Sequence, residues 1–355
     1  MSIYQVPWKL VQNKLVRYPG GRELDRFRGI YPGADDGRPE AWIGSDTRIR
    51  YLKDDPNEGC QKCILPDGRE MYLFEAMELD PEAMLGKDHL AKHGKKMGVL
   101  AKLLDAQEQL LLQCHPTREY AKKWFNSDFG KAESWYIISM RDDTAEPPYV
   151  YLGFKEGITR ADFEKGFYAD DVHAMEACVN KIPVHVGDVY NIEPGAPHAI
   201  GPGCFLVEVQ EPSDITVGWQ RKTDGTPEEN AYENERLLGC YNYSGQNFEE
   251  NLKRFRIEPK KLRGGFWGEE DLMIGPDQTP YFSFTRLQAS EPVDLAEAGD
   301  LQVGITIQGT ARLESSDGDL MIKKADEFFL PASIGRTTVH PGPEGVTMVL
   351  CRPGK

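Results

Sequence analysis

The sequence has no apolar run near the ~18 residues that a membrane-spanning helix needs. Its first residues, MSIYQVPWKLVQNK, lack the apolar segment of a secretory signal peptide. The seven cysteines are an odd number scattered over the chain, and the C-x-x-C pair Cys60 and Cys63 has no second pair to complete a metal site. We therefore expect a protein of the reducing cytoplasm, with no membrane partner.

Positive charge is also in deficit. The chain has 42 Lys and Arg against 57 Asp and Glu, a net charge of −15. A diffuse acidic surface repels the phosphate backbone, so we expect no nucleic-acid partner. An anionic substrate would have to be bound by a local basic cluster.

The composition favours a mainly β protein of two domains. At roughly 150 residues per domain, 355 residues suggest two domains, and 35 Gly with 24 Pro favour many turns. Short strand-like runs separated by Gly and Pro are typical of a sandwich or jelly roll. We predict a first β domain over 1–225 with a helical insertion at about 80–109, a helical connector over 226–255, and a second β domain over 256–355.

The helical insertion rests on two signals. Asp80-Pro81-Glu82 has the capping residue, proline and acid of a helix start. Leu100, Leu103 and Leu104 then recur at helical spacing.

The two β regions share a weak internal repeat. VGDVYNIEPGAPH (186–198) and KADEFFLPASIG (324–335) each contain an Asp, an apolar strand, and then Pro with small residues. The second copy has no histidine where the first has His198. If this architecture binds metal, we expect it to do so in the first copy only.

Four polar residues form a candidate site for a divalent metal: Gln113, His115, Glu133 and His198. Gln113 and His115 are two apart in LLLQCHP, so their side chains share one face of a strand. In a jelly roll, Glu133 and His198 can converge with them on the interior. Two imidazoles, one carboxylate and one amide oxygen suit zinc or a similar ion. Taken alone, these residues are a weak signal, because a lone histidine in a strand is more often a hydrogen-bonded structural residue and Glu133 could be an ordinary strand-end charge.

The sequence motifs around these four residues are more specific than the residues themselves. QCHP (113–116), GKAESWY (130–136) and PGAPHAIG (194–201) occur in this order. Together they resemble the type I mannose-6-phosphate isomerases (phosphomannose isomerases), in their shorter bacterial form, over about 100–216. The resemblance implies a fold of two cupin-type jelly-roll domains with one zinc ion on the four residues above. It also implies interconversion of the small-molecule sugar phosphates mannose 6-phosphate and fructose 6-phosphate.

The resemblance also indicates catalytic residues. Lys131 and Glu208 match family site positions, and either could move the proton that isomerisation requires. The family pattern S-D-x-x-x-R reads Ser-Asp-Ile-Thr-Val-Gly over 213–218, so Gly218 stands where an arginine is expected. Arg221, three residues later, is our candidate to reach back into the site.

The missing arginine keeps two other functions open. The chain could be a cupin isomerase for another aldose, or a sugar-binding protein without catalysis. A phosphate site is not assigned, because its candidate cations could equally form a solvated face; they are Arg118, Lys122, Lys123, Arg221 and Lys222.

A rival metal pair, His89 and His93, lies at i, i+4 on a helix. Its lysine neighbours oppose a cation there, so we do not favour it.

Overall fold

The structure is a computed structural model that describes residues 2–50, 55–295 and 299–354. Within these ranges antiparallel strands dominate and form three sheets. The helices are α1 (Arg22–Phe27), α2 (Leu73–Leu79), α3 (Pro81–Leu85), α4 (Lys87–His93), α5 (Arg118–Phe125), α6 (Arg160–Ala169), α7 (Val172–Ala177), α8 (Pro227–Leu238) and α9 (Phe248–Phe255), with a 3-10 turn at Ile3–Gln5. None of the helices in the described ranges has the length and apolar character to cross a bilayer.

Two five-stranded sheets face each other and form the first β domain. Sheet I contains, in spatial order, β10 (Val189–Ile192), β7 (Glu133–Met140), β12 (Cys204–Gln210), β5 (Leu100–Asp105) and β2 (Glu40–Ile43). Sheet II contains β13 (Val217–Gly218), β6 (Gln113–Cys114), β11 (His198–Ile200), β8 (Tyr149–Phe154) and β9 (Val179–Pro183). Trp135 and Leu206 of Sheet I share a buried core with Leu152 and Ile200 of Sheet II. This is the two-sheet arrangement of a jelly roll.

Sheet III builds the second β domain. Its hydrogen-bonded order is β14 (Lys260–Gly265), β15 (Gly268–Ile274), β16 (Phe282–Ala289), β21 (Thr338–Pro353), β18 (Gln302–Glu314), β20 (Glu327–Leu330), β1 (Trp8–Leu10), β3 (Lys62–Ile64) and β4 (Glu70–Tyr72), while β17 (Val293–Asp294) pairs with β21 and β19 (Asp319–Lys323) with β18. The predicted mainly β fold of two jelly-roll domains is therefore confirmed. The predicted domain boundaries stay a prediction, although strands β1, β3 and β4, from the first 75 residues, hydrogen-bond into Sheet III rather than into the first domain.

Both sheets of the first domain are covered on their outer faces. Leu103 and Val207 on the outer face of Sheet I lie in one buried cluster with Phe284 and Val303 of Sheet III. Cys114 and other residues on the outer face of Sheet II pack with side chains of α6, α7 and α8. The outer face of Sheet I is therefore apolar, and buried polar side chains of this sheet such as Lys102 and Glu208 lie on its inner face.

The helical insertion is shorter than the sequence pattern indicated. Asp80 caps α3 with Pro81 at its first position, as predicted. Residues 100–105, however, form strand β5 between β2 and β12, so the helical prediction over 80–109 is wrong beyond α4. All six residues of β5 are buried. A short apolar run buried on both faces has no strand periodicity, and its leucines match helical spacing by coincidence.

Two further helical regions begin at recognisable capping residues or occupy a predicted helical segment. Thr159 caps α6 through a capping box, and α7 follows. Helices α8 and α9 occupy the predicted connector over 226–255.

Candidate metal centre

Three predicted ligands meet between Sheets I and II. His115 follows β6 and His198 begins β11, and the register places His198 opposite Gln113. Glu133 begins β7 in the facing sheet. One nitrogen of each imidazole and one oxygen of the carboxylate all lie within 4.8 Å of one another, and all three side chains are buried.

The backbone fixes which imidazole nitrogen faces the cluster. His115 Nδ1 lies 3.0 Å from the carbonyl oxygen of Ile215, and His198 Nδ1 lies 2.9 Å from that of Ala196. A carbonyl oxygen only accepts, so both Nδ1 atoms carry the proton and both Nε2 atoms present lone pairs. Histidines that bind metal are oriented by the same type of hydrogen bond. Two lone pairs and a carboxylate that face one point suit the binding of a cation.

The distances between these atoms fit an ion of zinc's size. His115 Nε2 lies 3.2 Å from His198 Nε2 and 3.1 Å from Glu133 Oε2, and His198 Nε2 lies 3.4 Å from Glu133 Oε1. Two atoms that each lie ~2.1 Å from a tetrahedral zinc ion are about 3.4 Å apart. Nitrogen-rich ligands and this spacing favour zinc over calcium, which takes oxygen ligands at ~2.3–2.6 Å.

Lys131 supplies positive charge to the same atoms. Its Nζ lies 2.7 Å from His115 Nε2 and 2.8 Å from Glu133 Oε2, and the side chain is buried. The preceding Gly130 lies so close to the backbone of Pro116 that an added Cβ would be 2.6 Å from its carbonyl oxygen. That close approach holds Lys131 beside His115.

Burial sets the ionisation of the cluster. It lowers the pKa of His115 to about 3, with the Lys131 ammonium adding to the shift, and it also lowers the pKa of His198. Burial opposes the charge of Glu133, but the Lys131 ammonium holds the pKa of that carboxyl well below its usual range. At neutral pH the site therefore has two neutral imidazoles and one carboxylate, which is the protonation state that metal binding requires.

Glu208 lies on the inner face of Sheet I beside this cluster. Its strand pairs Gln210 with Glu133, and residues 208 and 210 share a face. Trp135 Nε1 donates to Glu208 Oε2 at 3.1 Å. Burial raises the pKa of Glu208, and the charge of Glu133 adds to the effect.

Lys102 is a buried neighbour of Glu208 that the sequence did not single out. It pairs with Glu208 across β5 and β12, and its Nζ lies 3.0 Å from Glu208 Oε1 and 4.7 Å from the centre of the Trp42 ring. Burial opposes its charge, but Glu208 and Glu40 raise the pKa of its ammonium. The signal was a single lysine inside the apolar run VLAKLL (99–104), which is unusual unless the charge is paired.

Two acceptors on this inner face lack a hydrogen bond. Among the described residues, none donates to Gln210 Oε1, and Glu208 Oε1 has its lysine contact without hydrogen-bond geometry. Both Nε2 bonds of Gln210 go to backbone carbonyls, at 2.7 Å each, which fixes the orientation of the amide. Buried acceptors of this kind suit a ligand that carries several hydroxyl groups.

Gly218 lies directly beside the candidate ligands. It pairs with Gln113, which pairs with His198 on its other side. Opposed residues of antiparallel strands point to the same face. A Cβ built at Gly218 would meet no atom of the described chain within 4 Å. The half-buried Gln113 side chain and the space at 218 thus share the face of His198.

Arg221 is engaged elsewhere. Its Nε lies 2.9 Å from both carboxylate oxygens of Asp170, at the end of α6, and about a third of its side chain is exposed. The prediction that Arg221 reaches the site remains a prediction, and it requires this ion pair to break.

Four of the other sequence candidates have structural partners. Arg118 Nε lies 2.6 Å from Glu211 Oε1, and Lys122 pairs with Asp128 at the surface. His89 and His93 each hydrogen-bond a backbone carbonyl, of Lys96 and Gly354 respectively.

Comparison with known proteins points to one family. A family model described as mannose-6-phosphate isomerase, cupin domain, matches residues 276–346, a range that contains strands β16 to β20 and the start of β21. The chain is 26% identical to the mannose-6-phosphate isomerase ManA of Bacillus subtilis over 254 residues, covering 68% of this chain and 71% of that protein. It is 25% identical to the mannose-6-phosphate isomerase of Streptococcus mutans over 240 residues, covering 66% and 69%.

Solved structures agree on the fold. The mannose 6-phosphate isomerase from Bacillus subtilis superposes with a TM-score of 0.74 at 20% identity, covering 98% of this chain and 99% of that one. A zinc-bound mannose 6-phosphate isomerase gives a TM-score of 0.74 at 15% identity, covering 98% and 100%.

Proposed function

We propose that this chain, which is similar in sequence and in fold to mannose-6-phosphate isomerases, belongs to the type I family of these enzymes and interconverts mannose 6-phosphate and fructose 6-phosphate. We further propose that one zinc ion is held by Gln113, His115, Glu133 and His198. The observation that carries the proposal is the convergence of two Nε2 lone pairs and one carboxylate beside the polar inner face of Sheet I.

The reaction moves a proton between C1 and C2 of the sugar and passes through an enediol. When bound, zinc would supply positive charge that stabilises the developing oxyanion. Glu208 is the proposed base, because burial raises the pKa of its carboxyl and a more basic carboxylate accepts a carbon-bound proton more readily. Trp135 and Lys102 hold the carboxylate in place from two sides.

Lys131 has a different part in this proposal. Its ammonium already contacts His115 and Glu133, so it is placed to hold a proton near the sugar oxygens. Gln210 Oε1 accepts from a substrate hydroxyl and orients the ring. Arg221 contributes only if it leaves Asp170.

One observation favours a second function. At Gly218 the family arginine is replaced by open space on the site face. A cupin isomerase of altered substrate, or a sugar-binding protein without turnover, would tolerate that loss.

The test is a coupled assay of the purified full chain with mannose 6-phosphate, with and without a metal chelator, alongside elemental analysis of bound metal. Turnover that stops with chelator and returns with zinc is expected. A full complement of bound metal without turnover would refute the proposed reaction and favour the second function.

A further inference from the structure

The interior of the second β domain carries polar groups as well as apolar ones. The interior face of Sheet III is defined here by its apolar cluster, which includes Leu287, Phe328, Leu330, Met348 and Leu350. The strand registers place five polar side chains on this same face. They are Arg263, Thr285, Gln302, Thr306 and Arg352.

Each of these five side chains has a buried atom without a hydrogen-bond partner in the described chain. The atoms are Arg263 Nη2, Thr285 Oγ1, Gln302 Oε1, Thr306 Oγ1 and, on Arg352, both Nε and Nη2. Thr285 and Thr306 are completely buried, and Gln302 is 4% exposed. An unpartnered buried polar group costs about 1–3 kcal/mol, and a charged one costs more. A cluster of them on one face indicates that something else supplies the partners.

Three of the five are neighbours. Val303 pairs with Cys351, so Gln302 and Arg352 lie side by side one residue further along. Thr285 pairs with Leu350, two residues from Arg352 on the same strand. Residues two apart on a strand are separated by ~7 Å, within reach of an arginine side chain. The amide, the hydroxyl and the guanidinium can therefore contact one small molecule.

The two arginines of this region differ in their charged partners. Arg263 Nε pairs with Glu270 at 2.6 Å. The charges of Glu270 and Asp300 act on the Arg352 guanidinium and favour its charged form, but Arg352 forms no ion pair with a described residue. Burial lowers the pKa of Arg352, yet a guanidinium keeps its charge at neutral pH. Of the two guanidinium groups, that of Arg263 contacts a carboxylate directly, whereas the buried donors of Arg352 have no described partner and are left to bind an acceptor.

We propose that the second β domain binds a small oxyanion, with a phosphate group as its chemical type, between Arg352 and Arg263. Arg352 Nε and Nη2 present two donors along one edge of the guanidinium, the geometry that binds phosphate in a bidentate way. Thr285 donates to a third oxygen. Gln302 Oε1 accepts from a hydroxyl, which either a hydrogen phosphate or a sugar phosphate carries. This site belongs to the second domain and does not depend on the metal centre.

The first test locates the anion. Crystals of the zinc-loaded full chain are soaked in tungstate, a phosphate-sized oxyanion with strong anomalous scattering. A peak within hydrogen-bonding distance of Arg352 is expected, and the Arg352→Gln variant should lack it. A peak that persists in this variant, or ordered water in its place, would overturn the proposal.

The second test measures affinity and separates the sources of the phosphate group. Titration of inorganic phosphate and of fructose 6-phosphate at low ionic strength is followed by calorimetry and by melting temperature. We expect a dissociation constant on the order of 1 mM or tighter, weakened at least ~10-fold by Arg352→Gln. Equal affinities for inorganic phosphate and fructose 6-phosphate would identify free phosphate as the ligand. A higher affinity for fructose 6-phosphate would identify a sugar phosphate as the ligand.

The controls exclude a general charge effect and a folding defect. Arg312→Gln removes an exposed arginine that pairs with Asp319 and Glu314, and it should leave binding unchanged. If Arg352→Gln does not fold, Thr285→Val deletes one hydroxyl at constant size and should still weaken binding. Binding that is weak at tens of millimolar, or equal in all variants, would reject the site.

Discussion

Gly218 and Gln113 lie directly opposite each other on neighbouring antiparallel strands, and Gln113 lies opposite His198 on its other side. A side chain at 218 would therefore project onto the face that carries the candidate ligands. The space there is open. Gly218, which departs from the S-D-x-x-x-R pattern that the sequence otherwise resembles, thus lies beside the candidate ligands.

Replacing Gly218 by Arg should raise kcat/KM for mannose 6-phosphate roughly 10- to 100-fold, because a hydrogen bond from a charged group contributes about 1.5–3 kcal/mol. Steady-state kinetics checks this. Gly218→Gln is the matched control, since it adds a flexible polar side chain without the charge. Equal effects of the two variants would show that the guanidinium is not what the site lacks.

Replacing Glu133 by Gln should release the metal. The change keeps the size of the side chain but removes the carboxylate from the cluster. We expect zinc affinity to fall by more than the ~10–100-fold that loss of an outer hydrogen-bond partner costs, measured by competition with a chromogenic chelator. Glu193→Gln, which removes an exposed carboxylate paired with Arg254, should retain the metal.

The sequence predicted which candidate ligands would come together better than it predicted the strands around them. Specific sequence motifs surround three of these candidates, namely His115, Glu133 and His198, and these motifs identified them. Strand β5 was missed because a fully buried run of six residues has neither the alternation of a half-exposed strand nor polar flanks. Lys102 was missed with it, since a lysine matters only once its strand is known to face the site.

The pairing of strands that lie far apart along the chain could not be predicted from the sequence either. That Gly218 faces Gln113 depends on a register over about a hundred residues, and that Trp8 pairs with Phe329 depends on the two ends of the chain meeting. Neither contact leaves a local pattern. The orphaned polar atoms of the second domain, such as those of Arg352, likewise emerge only when burial is known.

Replacing Lys102 by Met should destabilise the protein. Its ammonium lies among the buried carboxylates of Glu208 and Glu40, and removing one partner of a buried pair costs about 3–5 kcal/mol. Denaturant unfolding measures the loss. The double variant with Glu208→Gln should recover part of it, whereas Lys62→Met, in an exposed pair, should cost little. Additive effects in the double variant would contradict a coupled pair.

Replacing Arg221 by Gln should change kcat and KM for mannose 6-phosphate less than about twofold, because its guanidinium forms an exposed ion pair with Asp170 and such pairs contribute little. Asp170→Asn is the matched control, since it frees the arginine without removing it. A loss of turnover in Arg221→Gln that is absent in Asp170→Asn would show that Arg221 does enter the site during catalysis.

The metal-free protein should lose stability as the pH falls from 6.5. Burial lowers the pKa of His115 from 6.5 to about 3. Below pH 6.5 the His115 imidazole is protonated in the unfolded chain, whereas in the folded chain it stays neutral down to about pH 3. The contribution of His115 is therefore complete above pH 6.5 and is lost on acidification, by about 1.4 kcal/mol for each pH unit within that window.

Guanidinium unfolding of chelator-treated protein at pH 7, 6 and 5 measures this slope. His115→Asn should reduce it by about one proton, because the substituted amide does not titrate. An identical slope in the wild type and in His115→Asn would mean that the His115 imidazole is not buried in its neutral form. The orientation of the His115 Nε2 lone pair would then have to be reassigned.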